Sequence, residues 1–187
     1  MMGSQSMSMH RIVLAGLVMV AVALGASGPV RADQPVDPAI AKRFEYLSKN
    51  GNSNCSRTFL EAIPNMSVMD RIQGSCCNPM DLARYAKQLE GLKKYKDIAA
   101  IPPDPYDIAA GLAQQAQSNY DLALTPSEQK AYDYAMAHSE EKGPCCCQCW
   151  RWKVYGGLAK YLIHNRGFTG PQVTEVWDLS DGCGGAT

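Results

Sequence analysis

The sequence predicts an all-α fold, a compact bundle of about five to seven helices with a cysteine-rich loop between helices. Proline repeatedly follows a helix-capping residue, and proline at the first helical position costs no hydrogen bond. Apolar residues recur at helical spacing after these starts. No segment alternates apolar and polar residues for long enough to predict a strand.

Three helices are predicted in the first half of the chain. Asp37-Pro38 opens the first of them, and Pro64 stops the short second helix. Asn78-Pro79 repeats the pairing of a capping residue with proline and opens the third. The predicted bounds are 37–50, 56–63 and 78–95.

A proline-rich stretch at 101–105 cannot be helical and predicts a hinge between two lobes of one domain. Asp104-Pro105 is predicted to cap the helix that follows it. Thr125 to Glu128 forms a capping box, and Gly167 is a suitable end for a long helix. The predicted bounds are 104–119, 125–142, 150–165 and 169–177, with a loop at 180–185.

Residues 1–32 read as a cleavable signal peptide. A short basic start is followed by an uncharged apolar run of about 15 residues, shorter than the roughly 20 that span a bilayer. Val30-Arg31-Ala32 then provides a cleavage site before Asp33. We therefore predict export to the periplasm or the extracellular space. Residues 33–187 would form a single helical, cysteine-rich domain without a transmembrane segment.

The charge balance of the chain and the sequence motifs it lacks reduce the number of functions that the sequence favours. The chain has 18 basic and 18 acidic residues, which does not favour a nucleic-acid partner. The sequence contains no nucleotide-binding motif and no convincing catalytic triad or carboxylate pair. A binding protein is therefore favoured over an enzyme, with a metal ion or an exported protein as its partner.

Eight cysteines follow the predicted cleavage site, four of them in the segment 145–149. An extended backbone would place Cys145, Cys147 and Cys149 on one edge and Cys146 on the opposite face. Two clusters, Cys76-Cys77 and this loop, precede predicted helix starts, where the helix dipole favours thiolate. We predict one metal centre that holds copper(I), zinc or a toxic thiophilic ion. Its predicted ligands are Cys76, Cys77, Cys145, Cys147, Cys149 and Cys183.

Two alternatives remain open at this point. An even number of cysteines in an oxidising compartment is typical of a disulfide-stapled structural or partner-binding module. A thiol–disulfide redox protein is the second alternative, although the chain has no Cys-x-x-Cys motif of the thioredoxin type.

The cysteine loop resembles the PCYCGC-motif family of exported bacterial proteins. Pro144, Cys145, Cys147 and Cys149 match the motif, while Cys146 replaces its tyrosine and Gln148 its glycine. The resemblance extends weakly through the following helices, over about 35 residues in all. It implies export and a shared cysteine site but no established activity. The family is commonly lipid-anchored, and this sequence has no lipobox.

Overall fold

The structure is a computed structural model that describes residues 35–185, so the predicted signal peptide lies outside the described residues. Within that range the chain forms seven α-helices, two single-turn 3₁₀ helices and one two-stranded sheet. The α-helices are α1 Pro38–Asn50, α2 Arg57–Ala62, α3 Leu82–Leu92, α4 Ala110–Ser118, α5 Pro126–His138, α6 Trp150–Arg166 and α7 Gly170–Ser180. The 3₁₀ turns are Ile63–Asn65 and Lys93–Tyr95, and the strands are β1 Arg71–Gln73 and β2 Asp107–Ala109.

Several predicted helix ends are confirmed, together with their capping chemistry. The Asp37 carboxylate accepts a hydrogen bond from the Ala39 backbone N–H at 2.7 Å, at the start of α1. Thr125 and Glu128 form the reciprocal capping box of α5. Gly167 ends α6 in the left-handed conformation, with a φ of 66°.

The small antiparallel sheet corrects the strictly all-α prediction. Ile72 pairs with Ile108, and Gln73 pairs with Asp107. Strands of three residues are too short to show an alternating pattern in the sequence. The helix predicted from Asp104-Pro105 is also wrong at its start, because residues 107–109 pair with β1 and α4 begins only at Ala110.

Two further helix bounds are wrong, and both bear on the cysteines. The helix predicted from Asn78-Pro79 begins at Leu82, with Asp81 as its cap. Cys76 and Cys77 therefore lie on the loop before α3, ahead of the Asp81 cap and not at the start of that helix. Helix α5 ends at His138 instead of extending to residue 142.

Helix α6 forms the centre of the hydrophobic core. Trp150, Val154, Leu158 and Leu162 are each no more than 1% exposed along one side of it. Helices α4 and α5 pack against α6, and α7 packs mainly against α5. The first turn of α6 faces the segments that carry the cysteines. No helix within residues 35–185 has the length and apolar character needed to cross a bilayer.

Candidate metal centre

The structure brings all eight cysteines into one cluster, which we call the cysteine cluster. Four segments supply it: the residue before the α2 cap, the loop from β1 to α3, the loop from α5 to α6, and the tail after α7. Every cysteine in the described range is a free thiol. The members are Cys55, Cys76, Cys77, Cys145, Cys146, Cys147, Cys149 and Cys183.

The sulfurs form a continuous network. Cys77 Sγ lies within 4 Å of four other sulfurs, at 2.9, 3.7, 3.9 and 3.9 Å from Cys55, Cys76, Cys146 and Cys147. Cys145 Sγ lies within 4 Å of three, at 4.0, 3.6 and 3.1 Å from Cys147, Cys149 and Cys183. Cys146 and Cys183 are 3.2 Å apart, and Cys147 and Cys55 are 3.4 Å apart. Each central thiol has one nearest sulfur, Cys55 for Cys77 and Cys183 for Cys145, and two or three further sulfurs within 4 Å.

Backbone hydrogen bonds fix the tail against the Cys76-Cys77 loop. The Cys76 N–H donates to the Gly182 carbonyl at 3.2 Å, and the Asn78 N–H donates to the Cys183 carbonyl at 2.7 Å. Gly184 has a φ of 98°, and a methyl group there would lie 2.0 Å from the Asn78 carbonyl oxygen. Only glycine allows the tail to approach the loop this closely.

The loop before α6 is bent, and this corrects the expectation of an extended edge. Lys142 and Gly143 both have positive φ angles, and the Gly143 N–H donates to the buried Ser139 hydroxyl at 2.8 Å. The chain bends at every residue from 142 to 149, so Cys146 joins the cluster, although alternation along a strand would have turned it away. The predicted position of Cys146 on an opposite face is therefore wrong.

Cys55 and Cys146 are the two cluster members absent from the predicted ligand set. Cys55 directly precedes Ser56, whose hydroxyl caps α2, and α2 packs on the start of α6 through the rings of Phe59 and Trp150. The Trp150 indole N–H also donates to Ser53 Oγ at 3.1 Å. The sequence signal for Cys55 is its position directly before the Ser56 cap of α2, comparable to that of Cys149, which is itself the N-cap residue of α6. The other six, which were predicted, lie together in the cluster.

Exposure differs sharply across the cluster. Cys145, Cys149 and Cys183 are 1%, 4% and 3% exposed. Cys77 and Cys146 are exposed to solvent, and Cys55, Cys76 and Cys147 are intermediate. The cluster thus extends from the protein interior to its surface.

The pKa values of the thiols in the cysteine cluster are shifted in opposite directions. Hydrogen bonds from Cys145 and then Cys76 lower the pKa of Cys149 to about 2 and also lower the pKa of Cys183. The pKa of Cys145 is raised, first because it donates to Cys149 and then because it donates to Cys183. Partial desolvation by the surrounding protein, above all, raises the pKa of Cys77 and of Cys146 to about 12. Two thiolates are therefore stabilised among neighbours that keep their protons.

A buried arginine lies next to this charge. Arg151 is 1% exposed, and a methyl group on Gly182 would lie 2.1 Å from its Cζ. Its Nη2 donates to the Pro105 carbonyl at 2.8 Å, whereas Nε and Nη1 have no hydrogen-bond partner among residues 35–185. Burial works to lower the pKa of Arg151, but nearby groups, first Tyr155 and then the cysteines, raise it overall. The guanidinium therefore stays charged.

The ligand chemistry of the cluster is all sulfur. In the described part of the chain, every set of three potential ligand atoms within 4.8 Å of one another consists of cysteines alone. His138 Nδ1 lies 2.7 Å from the Tyr134 carbonyl, and His164 Nδ1 lies 3.0 Å from Glu128. At a Zn–S bond of ~2.3 Å, two sulfurs on a tetrahedral zinc are about 3.8 Å apart. Five of the nine sulfur–sulfur contacts given above, at 3.6–4.0 Å, are close to that separation, and the other four, at 2.9–3.4 Å, are shorter. The cluster could therefore hold a metal ion.

Comparison of the chain with known protein families, curated protein sequences and solved structures gave no match. The resemblance to the PCYCGC-motif family remains a prediction from the cysteine loop.

Proposed function

We propose that this protein binds soft or borderline metal ions through the cysteine cluster, with copper(I) and zinc as the first candidates. The observation that carries the proposal is the overlap of ligand groups: five different sets of three cysteines each lie within 4.8 Å. Thiolate-only donor sets favour copper(I), zinc and heavier thiophilic ions over hard cations.

The environment of Arg151 supports the same function. A buried cation with two unsatisfied donors is costly unless an anion lies close to it. Metal–thiolate centres with several sulfurs per ion carry net negative charge, and Arg151 follows Cys149 by two residues. The arginine therefore suits a protein whose working state is metal-loaded.

The disulfide-stapled module is less well supported by the geometry. A staple needs one partner for each sulfur, whereas Cys77 has three further sulfurs within 4 Å besides Cys55 at 2.9 Å. A thiol–disulfide redox protein needs one poised pair, and the same crowding argues against it.

Elemental analysis and thiol counting on anaerobically purified protein test the proposal. We expect bound copper or zinc, with free thiols recovered after the ion is removed by a chelator. Cys145→Ser should lower the metal content, and the double variant His138→Gln/His164→Gln should leave it unchanged. Protein with neither bound metal nor free thiols would establish the disulfide alternative instead.

We also propose that the protein is exported, so that the cluster meets its ions outside the cytoplasm. Support comes from the apolar run before Val30-Arg31-Ala32. Mass spectrometry of the native protein should find a chain that starts at or near Asp33. A full-length chain retained in the cytoplasm would contradict export without affecting the metal proposal.

A further inference from the structure

The cysteine cluster contains more sulfurs than one ion can use. A tetrahedral ion binds four thiolates, and the cluster has eight sulfurs. With one ion bound, several thiols would remain unused in direct contact with the occupied site. The excess of ligands points to more than one bound ion.

By exposure and contact together, the eight sulfurs can be divided into two groups that each contain a complete set of three. Cys76 is of intermediate exposure, and its set with Cys145 and Cys183 assigns it to the buried group. Cys76, Cys145 and Cys183 lie within 4.8 Å of one another, and two of them are buried. Cys55, Cys77 and Cys147 form a second such set, in which Cys77 is exposed. The fourth members are Cys149, 3.6 Å from Cys145, and Cys146, 3.9 Å from Cys77.

We propose that the cluster is polynuclear, with a buried inner site and an exposed outer site, and that ions load at the outer site and pass to the inner one. This inference rests on the proposed metal-binding function. The inner site comprises Cys76, Cys145, Cys149 and Cys183, and the outer site comprises Cys55, Cys77, Cys146 and Cys147.

Three sulfur–sulfur contacts join the two sites. Cys146 lies 3.2 Å from Cys183, Cys76 lies 3.7 Å from Cys77, and Cys145 lies 4.0 Å from Cys147. An ion at the outer site can therefore bond to an inner sulfur before it leaves an outer one. Each thiol that binds releases its proton to water, each thiolate left behind is free to take one up, and the ion keeps its oxidation state throughout. The transfer needs no oxidant or reductant.

The inner site is the tighter of the two. Its buried sulfurs are shielded from water and from competing ligands, whereas Cys77 and Cys146 are open to both. The Arg151 guanidinium packs against Gly182, the residue before Cys183, so its positive charge favours the anionic inner site. Ions should accumulate at the inner site and exchange at the outer one.

Anaerobic titration with copper(I), followed by removal with a copper(I)-specific chelator, tests this directly. We expect at least two ions per chain and two kinetic phases of removal. The outer variant Cys77→Ser/Cys146→Ser should lose the fast phase and its ions while it keeps the slow phase. The matched inner variant, Cys145→Ser/Cys183→Ser, should lose the slow phase.

The outcomes separate the two proposals. One ion per chain, or a single removal phase in the unaltered protein, would overturn the two-site inference and leave metal binding intact. No bound copper(I) or zinc would overturn the proposed function and the inference with it. Circular dichroism shows whether the inner variant folds. If it does not, the unaltered protein and the outer variant still test the two-site inference, because the number of bound ions and the number of removal phases can be measured in both.

Discussion

Arg151 is the single residue whose surroundings depend most on the cysteine cluster. Its stem is buried in the core, its guanidinium lies 4.6 Å from the Trp150 ring centroid, and only one of its nitrogens is bonded, to the Pro105 carbonyl. Folding removes this charge from water, so the nearby anion determines whether its burial is favourable.

Replacing Arg151 by methionine should affect metal binding more than the stability of the metal-free protein. The metal-free form should lose little stability, because the change removes a buried charge with two unbonded nitrogens together with its attraction to the nearby thiolates. The copper(I) affinity of the variant should be about tenfold lower than that of the unaltered protein, because the inner site loses its counter-charge. Thermal unfolding with and without copper(I) measures both effects. Equal destabilisation of the two forms would show that Arg151 acts through packing alone.

Gly182→Ala should disturb the same contact from the other side. The added methyl group would lie 2.1 Å from Arg151 Cζ, so the guanidinium must move. We expect a loss of about 1–3 kcal/mol in stability and weaker copper(I) binding. Gly185→Ala is the matched control, because its methyl group would lie 3.2 Å from the Pro79 carbonyl oxygen and Arg151 is not involved. Unaltered copper(I) affinity in Gly182→Ala would contradict the role given to Arg151.

Among the helices, α4 and α6 come closest together at a glycine of α6. Helix α6 carries two adjacent glycines, and a methyl group on Gly157 would lie 2.0 Å from the Ala116 carbonyl oxygen. A methyl group on Gly156 would instead meet the Tyr120 ring at 3.0 Å, and that ring can turn. Gly157 thus lets α6 lie against the backbone of α4.

Gly157→Ala should therefore destabilise the protein more than Gly156→Ala does. Both changes gain about 1 kcal/mol in helix propensity, but only the first forces two backbones apart, at a cost of about 1–3 kcal/mol or more. Denaturant unfolding of the two variants provides the comparison. Equal stabilities would mean that the α4–α6 contact can relax.

The sequence predicts these helices well where capping chemistry is local. Thr125 and Glu128 lie three residues apart, and their reciprocal bonds form as expected. Asn78-Pro79 has similar local chemistry, yet no helix starts there. The carbonyls that would accept the first helical bonds accept others instead, Asn78 from the Ser75 hydroxyl and Pro79 from the Gly185 N–H at the far end of the chain. The short strands are likewise defined by pairing between residues that are distant in sequence.

The sequence predicts the cysteine site only in part, because some of its members are placed by contacts between residues that are distant in sequence. Contact between the two predicted clusters follows from their common chemistry and is seen at 3.9 Å between Cys77 and Cys147. The place of Cys146 depends on the bent backbone of residues 142–149, which no periodic pattern indicates. Cys55 joins through the packing of α2 on α6, a tertiary contact outside any local motif.

At the scale of the whole molecule, proton release should accompany metal binding. Cys77 and Cys146, with pKa values raised to about 12, hold their protons at neutral pH and must release them to bind an ion. Affinity should therefore rise with pH and fall as the solution becomes acidic. Chelator competition between about pH 6 and 8 measures the slope. A pH-independent affinity would contradict thiolate coordination by these residues.

The four segments that meet at the cysteine cluster also bear on how long the protein survives. Each is irregular backbone, and bound ions would cross-link regions as distant in sequence as Cys55 and Cys183. Proteases cut a chain when it is locally or globally opened. A ligand that binds only the folded state therefore lowers the population of the opened, cleavable state. Scarcity of metal would leave these segments open to cleavage. The abundance of the protein would then follow the supply of the ion, without any change in its synthesis.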